Sequence, residues 1–393
     1  MFYVFYALAV VFIVVWCVLW ILHLTAIFHA KLKLHRKVDP YHGIPYEGVS
    51  ILKPLKGVDT NLYYNLETFF TLQFPLYEIL FCFEESTDPA IALVNSLIEK
   101  YPDIEAKIFI GGSTVGVNPK INNMHQGYLA AKYDYVMISD SNLKMKEETL
   151  TDMMQLMEDD VGIVHQIPFT ADQDGFAAVI EKIYFGTAHA RIYLFADFMQ
   201  VNCHTGMSTL IRKSLLDDVG GIQSFGCYLA EDFFMAKSIM ERGWRTRISS
   251  LPALQNPGCS SVRSFRERLK RWTKLRSAMV PHTILLEPIS ESLIIGAFTS
   301  WAVCVMFKWD PVVFYLVHVL IWFLLDYTLL SIIQNGSLPF NKFYFVIGWL
   351  YREINGPLIF LSAFWDSTIR WRSRTYKVHI GGIAEEISPK IKI

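Results

Sequence analysis

Residues 1–30 contain no Asp, Glu, Lys or Arg. The apolar run at 2–28 can cross a bilayer core of roughly 30 Å, which needs about 20 such residues, so it predicts a membrane-spanning helix. A cleaved signal peptide would place a basic segment ahead of a shorter apolar run. Lys31, Lys33, Arg36 and Lys37 follow instead, and the positive-inside rule puts that flank in the cytosol. Apolar runs return at 289–307, 311–333 and 343–365. The last contains Arg352 and Glu353, and the tail from Arg370 to Arg374 is basic again. One span at the start and two near the end return the tail to the cytosol. The 343–365 stretch is therefore expected to be re-entrant or interfacial, because a charged pair in mid-membrane must face protein or water.

Between these ends the pattern changes to that of a soluble domain. Strands are predicted at 49–52 (ended by Pro54), 77–83, 106–110 and 135–139, the last running into Asp140. Helices are predicted at 62–71, at 89–101 behind an Asp88 cap, and over a segment closing at 128–133. Such alternation implies an α/β fold with a mostly parallel sheet, covered on both faces. Ligands in such folds bind beyond the carboxyl ends of the strands, where Asp88 and Asp140 fall. Glu231 and Asp232 open a further helix that runs to Arg242 and is ended by Gly243. Acids there either complement the helix dipole or do chemistry. The Gly111–Gly116 segment lacks dinucleotide-loop spacing and reads as a turn. The expected organisation is an anchor at 1–30, a cytosolic domain at 31–280, membrane and interfacial helices at 281–370, and a cytosolic tail at 371–393.

Composition narrows the function. Among 393 residues, 52% are hydrophobic and 19% charged, with a net charge of −1. That excludes a disordered chain and argues against a nucleic-acid partner, since there is no positive excess to neutralise phosphates. The six cysteines (17, 82, 203, 227, 259 and 304) form no C-x-x-C pair and predict no disulfide framework. Basic residues crowd 263–276, as a solvated face, a headgroup-snorkelling face or a diphosphate site.

Four features occur in order: Asp88, Asp140-Ser141-Asn142, Glu231-Asp232 and Arg268-Leu269-Lys270-Arg271-Trp272. The set resembles the D, D, D, (Q/R)-x-x-R-W pattern of processive-type family 2 glycosyltransferases. It is closer still to the ceramide glucosyltransferase family (family 21). The segments at 52–59, 118–123, 185–191 and 381–386 extend that resemblance over nearly the whole chain. One departure is D-S-N where many metal-dependent transferases carry D-x-D.

The resemblance implies a GT-A-like fold, UDP-glucose as donor, ceramide as acceptor and inversion at the anomeric carbon. It also implies a multi-pass Golgi membrane protein with its catalytic domain facing the cytosol, which agrees with the orientation read from the charges. By residue, it implies Asp232 as general base and Asp88 on the nucleotide side. Asp140 would hold a divalent Mg2+ or Mn2+ against the diphosphate, beside Arg268 and Arg271. Lys53 and Lys120 would lie near uridine or phosphate, and Trp272, His189 and Gly206 near the acceptor. A processive polysaccharide synthase and a polyprenyl-phosphate glycosyltransferase share the motif set and stay as alternatives. Nothing in the sequence sets an oligomeric state.

Overall fold

The computed structural model describes residues 2–38, 47–258, 260–365, 368–371 and 374–387. Cys259 and the basic-tail residue Arg372 lie outside the described residues. By packing, the chain forms two units. One comprises Met1–Leu32, Asp174–Phe198 and Ser261–Arg370, and the other Lys33–Gln173, Met199–Ser260 and Trp371–Ile393. Segments 174–198 and 261–280, expected within the soluble domain, thus pack with the apolar helices.

The second unit carries β1 (Val49–Leu55), β2 (Tyr77–Phe83), β3 (Ala106–Ile110), β4 (Tyr135–Ser139), β5 (Leu143–Lys144), β6 (Val161–His165), β7 (Pro168–Thr170), β8 (Ser208–Arg212), β9 (Arg245–Ile248) and β10 (Ala253–Gln255). Its main sheet has the order β3-β2-β1-β4-β8-β6-β9. The β1–β2, β2–β3, β1–β4 and β6–β9 pairs are parallel, while β8 runs antiparallel to β4 and β6. The α/β expectation with a mostly parallel sheet holds.

All seven residues of β2 are buried, as expected of a central strand covered on both faces. Alternate side chains serve opposite layers. Ile79, Phe81 and Phe83 join the core beneath the Leu62–Phe70 and Ala90–Lys100 helices. Leu80 joins the core beneath the Pro119–Ala130 and Glu231–Glu241 helices. Each large apolar side chain so buried contributes about 1.5–3 kcal/mol.

Strand β1 continues past the predicted stop to Leu55. Its pairing with β4 ends at Leu52, whereas its pairing with β2 runs the full length. Pro54, which has no N–H to give, therefore lies beyond the stretch that pairs on the β4 side.

In the first unit, Tyr3–Lys33 and Pro311–Gln334 are long and apolar enough to cross a membrane. Ser292–Phe307 has 16 residues, about 24 Å at 1.5 Å per residue, shorter than the span expected at 289–307. Lys342–Phe364 is one continuous helix through Pro357. Its charged pair is buried against protein. Arg352 donates to Asp326 at 3.0 Å and to Thr187 Oγ1 at 2.6 Å, and it also contacts Glu353. Arg191 and Trp349 Nε1 reach the same Asp326 at 3.2 and 2.8 Å. The chain ends in β11 (Thr368–Trp371), β12 (Arg374–Val378) and β13 (Ala384–Glu386).

Candidate active site

In the second unit, several of the candidate side chains gather past β4. Asp140 follows the strand directly, and its N–H is held by the Met207 carbonyl at 2.8 Å. Lys120 reaches it from the first turn of the Pro119–Ala130 helix. That helix starts there because Asn118 caps it, accepting from the N–H groups of Lys120 and Ile121, with Pro119 at its first position. The Lys120 ammonium contacts Asp140 Oδ1 at 2.9 Å, Glu231 Oε1 at 3.2 Å and the Gly206 carbonyl at 3.1 Å. Burial works against this cation, but the Asp140 and Glu231 carboxylates outweigh it and hold its pKa above the usual lysine value.

Asp232 lies in the first turn of the Glu231–Glu241 helix. Its Oδ2 accepts from Gly206 N at 2.6 Å and its Oδ1 from Phe233 N at 2.9 Å. Each oxygen retains a second lone pair. Burial pushes this carboxyl above the ordinary aspartate range; Lys120 and the two N–H donors pull against that, and Asp140 adds to it. Burial likewise raises Glu231, against Lys120 and with a further push from Asp232. Gly206, expected near the acceptor, packs on Asp232: a Cβ there would lie 2.8 Å from Asp232 Cβ.

Two further expected donor-side residues are Lys53 and Asp88. Lys53 is fully buried on β1. Its Nζ lies 3.7 Å from the centre of the Phe69 ring and bonds to Ser139 Oγ at 3.1 Å and the Asp140 carbonyl at 2.5 Å. Burial drives its pKa well below the usual value, with Asp140 opposing and Lys120 adding to the fall. Lys53 therefore supports the Asp140 backbone from within. Asp88 accepts from Gly57 N at 2.8 Å and Ala90 N at 2.9 Å, tying the loop after β1 to the start of the Ala90–Lys100 helix. The neighbouring acid Glu84 is engaged by Lys56 at 2.7 Å and Arg374 at 3.6 Å.

The donor set suits one kind of metal ion. Among the described residues, no three His, Cys, Asp or Glu side chains converge as a cage. The Asp140 side chain is 35% exposed. A magnesium-like ion binds through one or two carboxylates, keeps waters and takes its other ligands from substrate phosphates, and Asp140 fits that pattern.

In the first unit, the chain makes a π-helical turn at Phe185–His189, a feature common at functional sites. His189 stacks on Tyr193 at 4.2 Å and lies 6.1 Å from Trp272, ring centre to ring centre. Arg268 stands 4.6 Å over the Trp272 ring, and Arg271 shares their helix, Val262–Met279. Burial, with Arg276 and Arg268 adding repulsion, lowers His189 to about 3, so its imidazole is neutral at physiological pH. It is 8% exposed, and its Nδ1 has no hydrogen-bond partner among the described residues.

Asn118 joins the cluster around Lys120, although no motif singles it out. Its Nδ2 binds Glu231 Oε2 at 2.8 Å and the Tyr228 carbonyl at 2.7 Å. The Asn-Pro step marks it as a helix cap, but nothing local signals its reach to Glu231.

The sequence profile described as Glycosyl transferase family 21 matches residues 18–384. Ceramide glucosyltransferase 1 of Caenorhabditis elegans is 44% identical over 93% of this chain and 78% of its own length. Ceramide glucosyltransferase 3 of the same organism is 42% identical over 94% and 81%. The ceramide glucosyltransferase of Komagataella phaffii is 28% identical over 87% and 84%. Among solved structures, a mannosyltransferase of Pyrobaculum calidifontis in complex with GDP-Man and Mn2+ aligns over 88% of this chain and 99% of its own. It does so at 15% identity and a TM-score of 0.49.

Proposed function

The chain belongs to glycosyl transferase family 21, and from that premise we propose that it transfers glucose from UDP-glucose to the primary hydroxyl of ceramide, with inversion, to give glucosylceramide, the first step of glucosphingolipid synthesis. The observation that carries this reading is the 42–44% identity to ceramide glucosyltransferases over more than nine-tenths of the chain. The roles that follow are part of the same proposal.

Asp232 takes the proton of the ceramide hydroxyl. The freed oxygen attacks the anomeric carbon, the bond from that carbon to the diphosphate breaks, and UDP leaves with the electron pair. A carboxyl raised by burial suits a base, which works best when its pKa approaches the operating pH. Lys120 stands between Asp232's neighbours Asp140 and Glu231, in contact with both carboxylates. Asp140 would hold Mg2+ or Mn2+, and that ion when bound would offset the charge gathering on the leaving diphosphate. Arg268 and Arg271, by the family pattern, are donor-side residues whose forked N–H groups suit phosphate oxygens. Lys53 and Asp88 act as positioning residues, one beneath Asp140 and the other in the loop after β1. His189, neutral and with an open Nδ1, meets a polar group of the acceptor beside Trp272.

The acceptor is a lipid, and Tyr3–Lys33 and Pro311–Gln334 supply the anchorage. The basic flank after residue 30 orients the catalytic residues to the cytosol, in a Golgi-type membrane.

The deciding experiment is mass spectrometry of lipids after membranes carrying the protein are incubated with ceramide and a panel of nucleotide sugars. A monohexosyl ceramide formed from UDP-glucose is expected. Insoluble polymer alone, or transfer only to a polyprenyl phosphate, would replace the proposal with one of its rivals.

A further inference from the structure

The loop that delivers Glu231 and Asp232 is irregular from Gly226 to Ala230. It follows a glycine-rich turn, with Gly220 at φ +93 and Gly221 at φ +81. Leu229 is buried within the loop, and the loop backbone also takes partners on two sides. On one side those partners come from Asn118, whose N–H donates to the Gly226 carbonyl at 2.9 Å and whose Nδ2 donates to the Tyr228 carbonyl and to Glu231.

On another side they come from the end of the chain. Strands β12 and β13 pair antiparallel, with Tyr376 opposite Glu386 and Val378 opposite Ala384. The connection turns at Gly381 and Gly382, both at positive φ. Ile383 bridges to Tyr228, and the Ala384 N–H donates to the Cys227 carbonyl at 2.9 Å. Tyr376 is fully buried and Ala384 is 5% exposed, so the hairpin is packed in place. Arg374 adds contacts to Glu84 and Glu386 at 3.6 and 3.2 Å. The Tyr228 ring stacks on Phe234 at 3.7 Å, two residues beyond the base. Tyr228 is thus the junction: its backbone meets the hairpin, its carbonyl meets Asn118, and its ring meets the helix that carries Asp232.

Taking Asp232 as the base, as above, we propose that the C-terminal β12–β13 hairpin is a positioning strap that holds Cys227 and Tyr228 and so sets the direction of the Glu231–Glu241 helix, with Tyr228 as the positioning residue. Reaction geometry is steep in distance: a misplacement of about 1 Å can cost about 10²-fold. Loosening the strap should therefore cost turnover before it costs donor binding, whose expected contacts lie on other loops.

The test uses the full chain in detergent or nanodiscs. Ala384→Pro removes the N–H that binds Cys227, and Ala384→Gly keeps it. A second variant ends the chain after Val378, in case the proline blocks folding. Turnover number, affinity for UDP-glucose and amide hydrogen exchange over 226–234 are measured for each. The expected result for Ala384→Pro and for the truncation is a fall in kcat of at least about tenfold, with donor affinity within about threefold of wild type and faster exchange in 226–234. Ala384→Gly should restore near-normal kcat. Wild-type kcat in both disrupted variants, or donor affinity falling in step with kcat, would overturn the strap. Asp232→Asn in the same assay separates the two readings: if it retains turnover the assignment of the base fails, whereas the exchange measurement still reports on the strap.

Discussion

Asp232 combines two opposed influences, and its chemistry follows from their balance. Burial raises its carboxyl, while Lys120 and two backbone N–H groups draw it back toward ionisation. Asp232→Asn keeps the shape and removes the proposed base. Turnover should fall about 10²–10⁴-fold with donor affinity little changed, as read from single-turnover rates and a donor titration. If Asp232 is the base, as proposed, the acid limb of kcat against pH should lie above the range of an ordinary aspartate, because a base works only when ionised. Removing a cation that favours the ionised form raises a carboxyl further, so Lys120→Met should move that limb to higher pH. A limb that stays put or moves down in this variant would exclude Lys120 as the neighbour that tunes the base. The opening of the helix at Glu231-Asp232 was legible in the sequence. The contact of Asp232 with Gly206 was not, because it joins residues 26 positions apart with no local signature.

At the scale of elements, buried strands announce themselves most clearly. The 77–83 and 135–139 strands have the bounds read from their apolar runs, since a strand covered on both faces shows little alternation, and the partly exposed edge strand at 106–110 keeps its bounds too. Strand β8, Ser-Thr-Leu-Ile-Arg, is short and half polar, and its place between β4 and β6 rests on pairing partners distant in sequence. The apolar helices of the first unit were equally legible. Asp326 was not, although it binds Arg191, Arg352 and Trp349 at once and is fully buried. Removing one member of such a group strands the opposite charges, at a cost of about 3–5 kcal/mol. Asp326→Ala should therefore lower the thermal midpoint of the detergent-solubilised protein sharply, and an unchanged midpoint would mean that the arginines find other partners.

Across the whole molecule, chain order and packing do not coincide. The chain changes unit after residues 32, 173, 198, 260 and 370. A sequence pattern shows where apolar stretches lie, but not that 174–198 and 261–280 pack with them. A fragment of 31–280 should accordingly be insoluble when expressed alone, because both segments would lose their apolar neighbours. Recovery of that fragment as a soluble monomer on gel filtration would show that they can be satisfied otherwise. The same interleaving governs biosynthesis. The first unit waits for the ribosome to pass residue 370 before its last helix exists, and the insertion machinery must hold the opening helix until then. Chaperone dependence and degradation of late-truncated chains should follow from that long wait.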